Sequence, residues 1–236
     1  VLCLVFHVQI GFTDADGNRI KAPDSYVLVF PNGTERRLGL TTFKCQIGII
    51  RLVSALWESS ELGPADDGVL AISSSGTYWF KLEVFNPVIK LVGPGDLSFA
   101  TVELRFPNET VKALRADENA TLALRVQAGT LTVLRVVRSD GFVAFVFEDM
   151  TISSSSIHVV SLWDVPFKHP WIAKLDEFFL SIPFLGEHFL TFDRIVMGYG
   201  SLLILASLAL LTVAFIALLK KFFAKKSPSY VLYPDR

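Results

Sequence analysis

Three short motifs and a few groups of polar side chains are the places where this sequence could do chemistry. Asn32-Gly33-Thr34, Asn108-Glu109-Thr110 and Asn119-Ala120-Thr121 each set an amide two residues before a hydroxyl, the pattern that accepts an N-linked glycan. Composition alone would give that spacing to about one asparagine in eight, whereas three of the five asparagines here have it. All three fall where turns are expected, so a bulky sugar would project into water, and glycosylation of at least one is expected. Asp14-Ala15-Asp16-Gly17-Asn18 alternates its carboxylates in the manner of a calcium loop, whose oxygens surround one ion. Arg19 stands where such a loop needs glycine and Ser25 where it needs a bidentate glutamate, so a plain β-turn is expected instead.

Ser153 to Ser156 beside His158 supply a nucleophile and a base, but neighbours on a strand alternate between faces and no nucleophile-elbow motif surrounds them. His7, His158, His169 and His188 stand singly, without a cysteine or glutamate at ligand spacing. Neither a Cys-His-Met copper cluster nor a Cys-x-x-Cys-His haem motif is present, and no Gly-rich phosphate loop occurs. The expectation is therefore a non-enzyme with no catalytic residue, no bound metal and no cofactor. Cys3 and Cys45 are the only cysteines; one disulfide and two buried thiols suit them equally well.

What must position these groups is governed by one stretch, Ile195 to Leu219, which carries no charged residue. At about 1.5 Å of rise per residue, a helix of that length exceeds the roughly 30 Å hydrocarbon core of a bilayer. Lys220, Lys221, Lys225 and Lys226 follow at once, against Glu187, His188, Asp193 and Arg194 on the other flank. The positive-inside rule then places residues 220–236 in the cytoplasm, with the four lysines against lipid headgroups, and everything before the span outside. Such a topology needs an export signal, yet the chain begins with Val-Leu-Cys-Leu-Val-Phe, so a removed signal peptide or an incomplete start is expected. A formal net charge of −1, with its only basic cluster beside the membrane, excludes a nucleic-acid partner.

The outer residues read as mainly β. Val8, Ile10 and Phe12 alternate, Tyr26 to Phe30 is β-branched and aromatic, and turn residues follow each run. From Phe43 to Leu62 the apolar positions Ile47, Ile50, Leu52, Val53, Leu56 and Trp57 fall at roughly helical spacing, which predicts a short helical insert there. Gly93-Pro94-Gly95-Asp96 is the strongest breaker and predicts a boundary between two antiparallel β-sandwich domains, residues 1–95 and 96–165. An internal echo supports two domains. Val27 to Thr34 recurs as Glu103 to Thr110, and Leu70-Ala71 with Gly76-Thr77 as Leu122-Ala123 with Gly129-Thr130.

The Asp-Gly-Asn turn, the strand ending in Asn-Gly-Thr and the later Ala128-Gly129-Thr130 opening Leu131-Thr132-Val133 resemble archaeal cell-surface proteins. Those proteins carry immunoglobulin-like or carboxypeptidase-regulatory (transthyretin-like) β-sandwiches, and the resemblance implies scaffolding or adhesion rather than catalysis.

Residues 166–194 form an amphipathic juxtamembrane segment. Trp171, Ile172, Leu175, Phe178 and Phe179 recur at helical spacing opposite Lys174, Asp176 and Glu177, and Phe184, Phe189 and Phe192 continue the apolar character beyond Pro183. This surface is expected to meet the membrane or an integral membrane subunit. Gly200, Ser207, Ala214 and Ala217 form a small-residue stripe along which another helix could pack. The leading expectation is an accessory subunit of a larger membrane-embedded complex. A cell-surface or surface-layer anchor is the alternative, followed by an outer solute- or glycan-binding domain using Trp57, Tyr78 and Trp79.

Overall fold

The computed structural model describes residues 4–183 and 186–224. Cys3, Phe184, Lys225 and Lys226 therefore lie outside the described residues, and with Cys3 the choice between one disulfide and two buried thiols. The chain forms two compact units, Val1–Trp163 and Asp164–Arg236.

The first unit is built entirely of strands among its described residues: β1 (Val5–Thr13), β2 (Ser25–Val29), β3 (Glu35–Leu38), β4 (Thr42–Gln46), β5 (Gly48–Trp57), β6 (Ser60–Leu62), β7 (Val69–Ile72) and β8 (Gly76–Lys81) come first. They are followed by β9 (Val84–Phe85), β10 (Val88–Val92), β11 (Thr101–Arg105), β12 (Val111–Arg115), β13 (Thr121–Ala123), β14 (Val126–Gln127), β15 (Gly129–Val137), β16 (Val143–Ile152) and β17 (Ile157–Ser161). β1 lies between β4, antiparallel, and β8, parallel; β10 lies between β13, antiparallel, and β17, parallel. Facing sheets run β3-β2-β5, continued by β6 and β7, and β12-β11-β15-β16. One topology is thus used twice. Val8, Ile10, Phe12 and Phe80 of one sheet meet Tyr26, Leu28, Ile50 and Leu52 of the other in a single buried cluster, which makes the first repeat a sandwich.

The repeats agree in detail. Asn32 and Asn108 each turn the chain after β2 and β11 by accepting hydrogen bonds from the backbone and hydroxyl of the threonine two residues on. Gly48 and Gly129, at φ 143° and 135°, open β5 and β15. A Cβ at either would come within 2.7 Å of Pro31 and 2.9 Å of Pro107, respectively. Each strand then carries a bulge, where the register against β2 slips between Val27 and Leu28 and that against β11 between Glu103 and Leu104.

This bulge overturns the helical insert predicted over 43–62, which is instead β4, β5 and β6. Inward residues on β5 are Ile50 and Leu52, then, after the bulge, Ala55 and Trp57. The helical spacing comes instead from Ile47 and Val53, apolar side chains that the strand leaves exposed. Two other expectations also change. Gly129 corresponds to Gly48, not Gly76, and Leu122-Ala123 lies on β13, the counterpart of β4, so only the first half of the echo marks equivalent chain. β10 precedes Gly93 yet pairs with β13 and β17, so the repeats change over near Asn86 and not at residue 95.

Around that changeover Asp14, fully buried, accepts from the backbone of Asp16 (3.0 Å) and Asn18 (2.8 Å) and from the Asn86 amide (2.7 Å). Asn86 also donates to Asp16 and accepts from Arg125, while β9 pairs with β14. The Asp14–Asn18 stretch is thus the turn expected of it, with Gly17 at φ 89°, and it also joins the repeats. Burial works against ionisation of Asp14, but the bonds from Asn86, Asn18 and Asp16 outweigh it and hold the carboxyl below its ordinary value of 3.8.

Because Gly48 and Gly129 do the same work, Gly48→Ala and Gly129→Ala are each expected to cost about 1–3 kcal/mol in denaturant unfolding; a change in only one would break the equivalence. A carboxyl depressed in the folded state binds its proton more readily once unfolded, so the stability it contributes is full at neutral pH and is lost as pH falls through the folded value. Asp14→Asn should therefore lower the melting temperature at neutral pH and lose that difference in acid.

Candidate functional site

The second unit contains α1 (Pro170–Leu180), α2 (Gly186–Ile195) and α3 (Gly200–Ala224). Pro170 starts α1, where its missing N–H costs nothing. Ser181 ends it, its backbone N–H donating to Glu177 and its hydroxyl to Phe178. α2 closes through Met197 and Gly198 in positive φ, with the Gly198 N–H donating to the Asp193 carbonyl at 2.8 Å. The apolar helix consequently begins at Gly200, five residues after the predicted start at Ile195, and carries Lys220 and Lys221 within it.

Gly200–Lys221 is 22 residues of mean hydropathy 2.9, and none of its most apolar window is buried. A core helix of a water-soluble protein would be covered, and this one leaves Leu210, Leu211, Val213, Phe215 and Leu218 exposed. Of the predicted stripe, Ala214 and Ala217 are exposed, as is Ser207, whose hydroxyl donates to Leu203. Gly200 is buried at the foot of the helix, where a Cβ would meet Asp193 Oδ1 at 2.8 Å.

Between the helices lies an ion cluster. Lys168, from the loop before α1, donates to the carboxylates of Asp176 on α1 and Asp193 on α2, and all three are buried. Asp193 Oδ1 also accepts the Gly200 N–H at 2.9 Å, which caps the first turn of α3 with a negative charge. Burial pushes the Asp176 carboxyl above its ordinary range, against the opposing hydrogen bond and charge of Lys168. Phe179 stacks on Phe189 at 5.2 Å between centroids beside the cluster.

Sequence reasoning placed Asp176 on the water-facing side of α1 and missed the cluster. The available signal was its spacing: Ala173, Asp176 and Phe179 fall every third residue on one helical face, and all are buried. The predicted interface residues accordingly divide. Trp171, Phe178 and Phe192 are exposed, Ile172 and Leu175 half-buried, and Phe179 and Phe189 are interior packing rather than interface.

In the first unit the remaining candidates separate. Trp57 is core, the half-buried Tyr78 donates its hydroxyl to Ser74, and Trp79 lies on the opposite face of β8. The Trp79 ring covers Gly11, where a Cβ would come within 2.4 Å of it, and the Arg19 guanidinium sits 4.7 Å from the ring centroid. A surface depression of about 400 Å³ on β1, β4 and β8 is lined by His7, Gln9, Thr42, Lys44 and Thr77 and includes none of the three aromatics. Cys45 is buried, which pushes its thiol pKa up and away from reactivity.

Contrary to the expected separation, Ser156 Oγ lies 3.1 Å from His158 Nε2, because residues two apart share a strand face. Both are exposed or half-exposed, and among the described residues no carboxylate accepts a hydrogen bond from His158 to orient it. No group of three metal-ligating side chains occurs among the described residues. Asn32 and Asn119 are exposed, whereas Asn108 is half-buried and its amide donates to the Glu58 carbonyl at 3.2 Å.

The described residues define a mainly β protein with repeated sandwich topology and one C-terminal helix long and apolar enough to cross a membrane. No family model matches the chain, and no curated protein matches it. Among solved structures it is similar to the Bacillus anthracis TIE protein at 15% identity and TM-score 0.29, over 67% of this chain and 34% of that one. It is also similar to GBS52, the minor pilin of Streptococcus agalactiae, at 12% identity and TM-score 0.28, over 66% of this chain and 94% of that one. The shaft pilin SpaA from Lactobacillus rhamnosus GG gives 9% identity and TM-score 0.28, over 68% and 98%. This chain spans about a third of the TIE protein's length. Likenesses this slight carry nothing from those proteins to this chain.

In a host that attaches N-linked glycans to exported chains, Asn32→Gln and Asn119→Gln should each remove one glycan from the intact mass, while Asn108→Gln leaves it unchanged. Three variants of unaltered mass would end the glycan reading.

Proposed function

We propose that this chain is a non-catalytic single-pass membrane protein that displays a rigid, two-repeat β-sandwich unit on the outer surface, in the role of a structural or adhesive anchor. The observation that carries this reading is the uncovered apolar face of α3, which water would not tolerate and a bilayer would cover. Lys220 and Lys221 at its C-terminal end favour a cytoplasmic tail and an outer sandwich unit. Three further observations support display over catalysis. Trp57 is core while Trp79 lies on the opposite face of its strand from the core, the nearest serine–histidine pair lacks an orienting acid among the described residues, and the polar network at Asn86 serves to lock one repeat to the next.

A second reading, an accessory subunit of a membrane-embedded complex, is favoured by exposed Ser207, Ala214 and Ala217, which would let another helix approach closely. Gentle solubilisation from native membrane, capture through a C-terminal handle and mass spectrometry of the co-purifying chains separates the two. An anchor should come away alone or with a protein of the outer surface. Stoichiometric integral membrane partners would overturn that reading in favour of the subunit.

A further inference from the structure

Around a small apolar core of Ala173, Phe179 and Phe189, the helical unit buries an ion cluster and exposes large apolar side chains. Lys168, Asp176 and Asp193 are only 5%, 0% and 4% exposed, while Trp171 is 52%, Phe178 63%, Ile195 74%, Met197 80% and Tyr199 58% exposed. In water such an arrangement loses twice, since charges are stripped of solvent and large apolar side chains are left in it. Inside lipid both signs change. Apolar surface is then well solvated, and ionisable groups must be turned inward and paired with one another, as Lys168 is with its two carboxylates.

We infer that the described residues of 164–183 and 186–199 are not a stem standing in water but a lipid-facing helical collar, seated in the interfacial layer of the outer leaflet around the start of α3. The proposal rests on α3 being a membrane span, and continuity with that span identifies the occupant as lipid. Ile195, Met197 and Tyr199 directly precede Gly200, and even fully extended chain from Ile195 reaches no more than about 18 Å. Turns at Val196–Tyr199 shorten that reach, and the Asp193–Gly200 bond fixes α2 to the first turn of α3. On α1, Trp171 and Phe178 lie seven residues apart on one flank, with Lys174, Glu177 and Ser181 on the adjoining one, all exposed. A helix lying flat at the interface presents such flanks to acyl chains and headgroups together.

The test is photolabelling of the full chain with a phospholipid carrying a diazirine in its acyl chain, followed by peptide mapping of the adducts. It is done with the purified protein in phosphatidylcholine–phosphatidylglycerol vesicles and again in native membranes loaded with the probe. Adducts on Trp171, Phe178 and residues 192–199 at yields comparable with those on α3, in both settings, are the expected result. Adducts confined to α3 would overturn the collar and leave the span intact. Loss of the collar adducts in native membranes alone would overturn it in favour of a protein covering this face. If α3 itself takes no label, the membrane-anchor reading falls with it.

Discussion

A helix with no charge between Gly200 and Leu219 cannot be left in water, and the second unit follows from that constraint. Its first backbone N–H groups have no intrahelical acceptor, and in a medium poor in hydrogen-bond partners they need one supplied. Asp193 provides it for Gly200, and a buried carboxylate in turn requires a counter-charge, which Lys168 brings. Asp176 completes the set from α1. Each group is present because the previous one would otherwise be unsatisfied. The chain of need runs from the span outward through three elements, which is why Gly198 must turn in positive φ and approach Pro166 and Lys168 closely.

The first unit solves a different problem, that of making two sandwiches act as one body. Loop hydrogen bonds are ordinarily local, yet Asn86 reaches residues some seventy positions away on either side, joining Asp14 and Asp16 to Ser155. Asp14 is buried because its partners leave no room for water, and it stays ionised because they all donate to it. The same aspartate that shapes a turn therefore also positions the next repeat.

Legibility in the sequence followed the range of the interaction. The apolar span, the paired Asn-x-Thr turns and the mainly β character were readable because each depends on adjacent residues. β5 was not, since Ile47 and Val53 are apolar yet exposed and complete a helix's spacing with Ile50 and Trp57, while the bulge at Val53 breaks the alternation that would have marked a strand. Asp176 was misplaced for a related reason. A charged side chain on an amphipathic helix is ordinarily read as facing water, and its spacing with Ala173 and Phe179 becomes decisive only once Lys168 and Asp193, distant in sequence, are seen to pair with one another around it. The Ser156–His158 contact was misjudged by local geometry that was in plain view, because two residues apart on a strand means the same face.

The parallel pairing of β1 with β8 and of β10 with β17 has a mechanical meaning. Each repeat begins and ends in neighbouring strands that run the same way, so the entry of one and the exit of the other lie at opposite ends of the pair. Tension drawn along the chain from the membrane then slides the two strands past each other instead of peeling them apart. In sliding, the hydrogen bonds between Val8–Thr13 and Gly76–Lys81 bear load together, and the same holds for Val88–Val92 against Ile157–Ser161. In the anchor role proposed above, a pull would have to break these bonds together and not one after another.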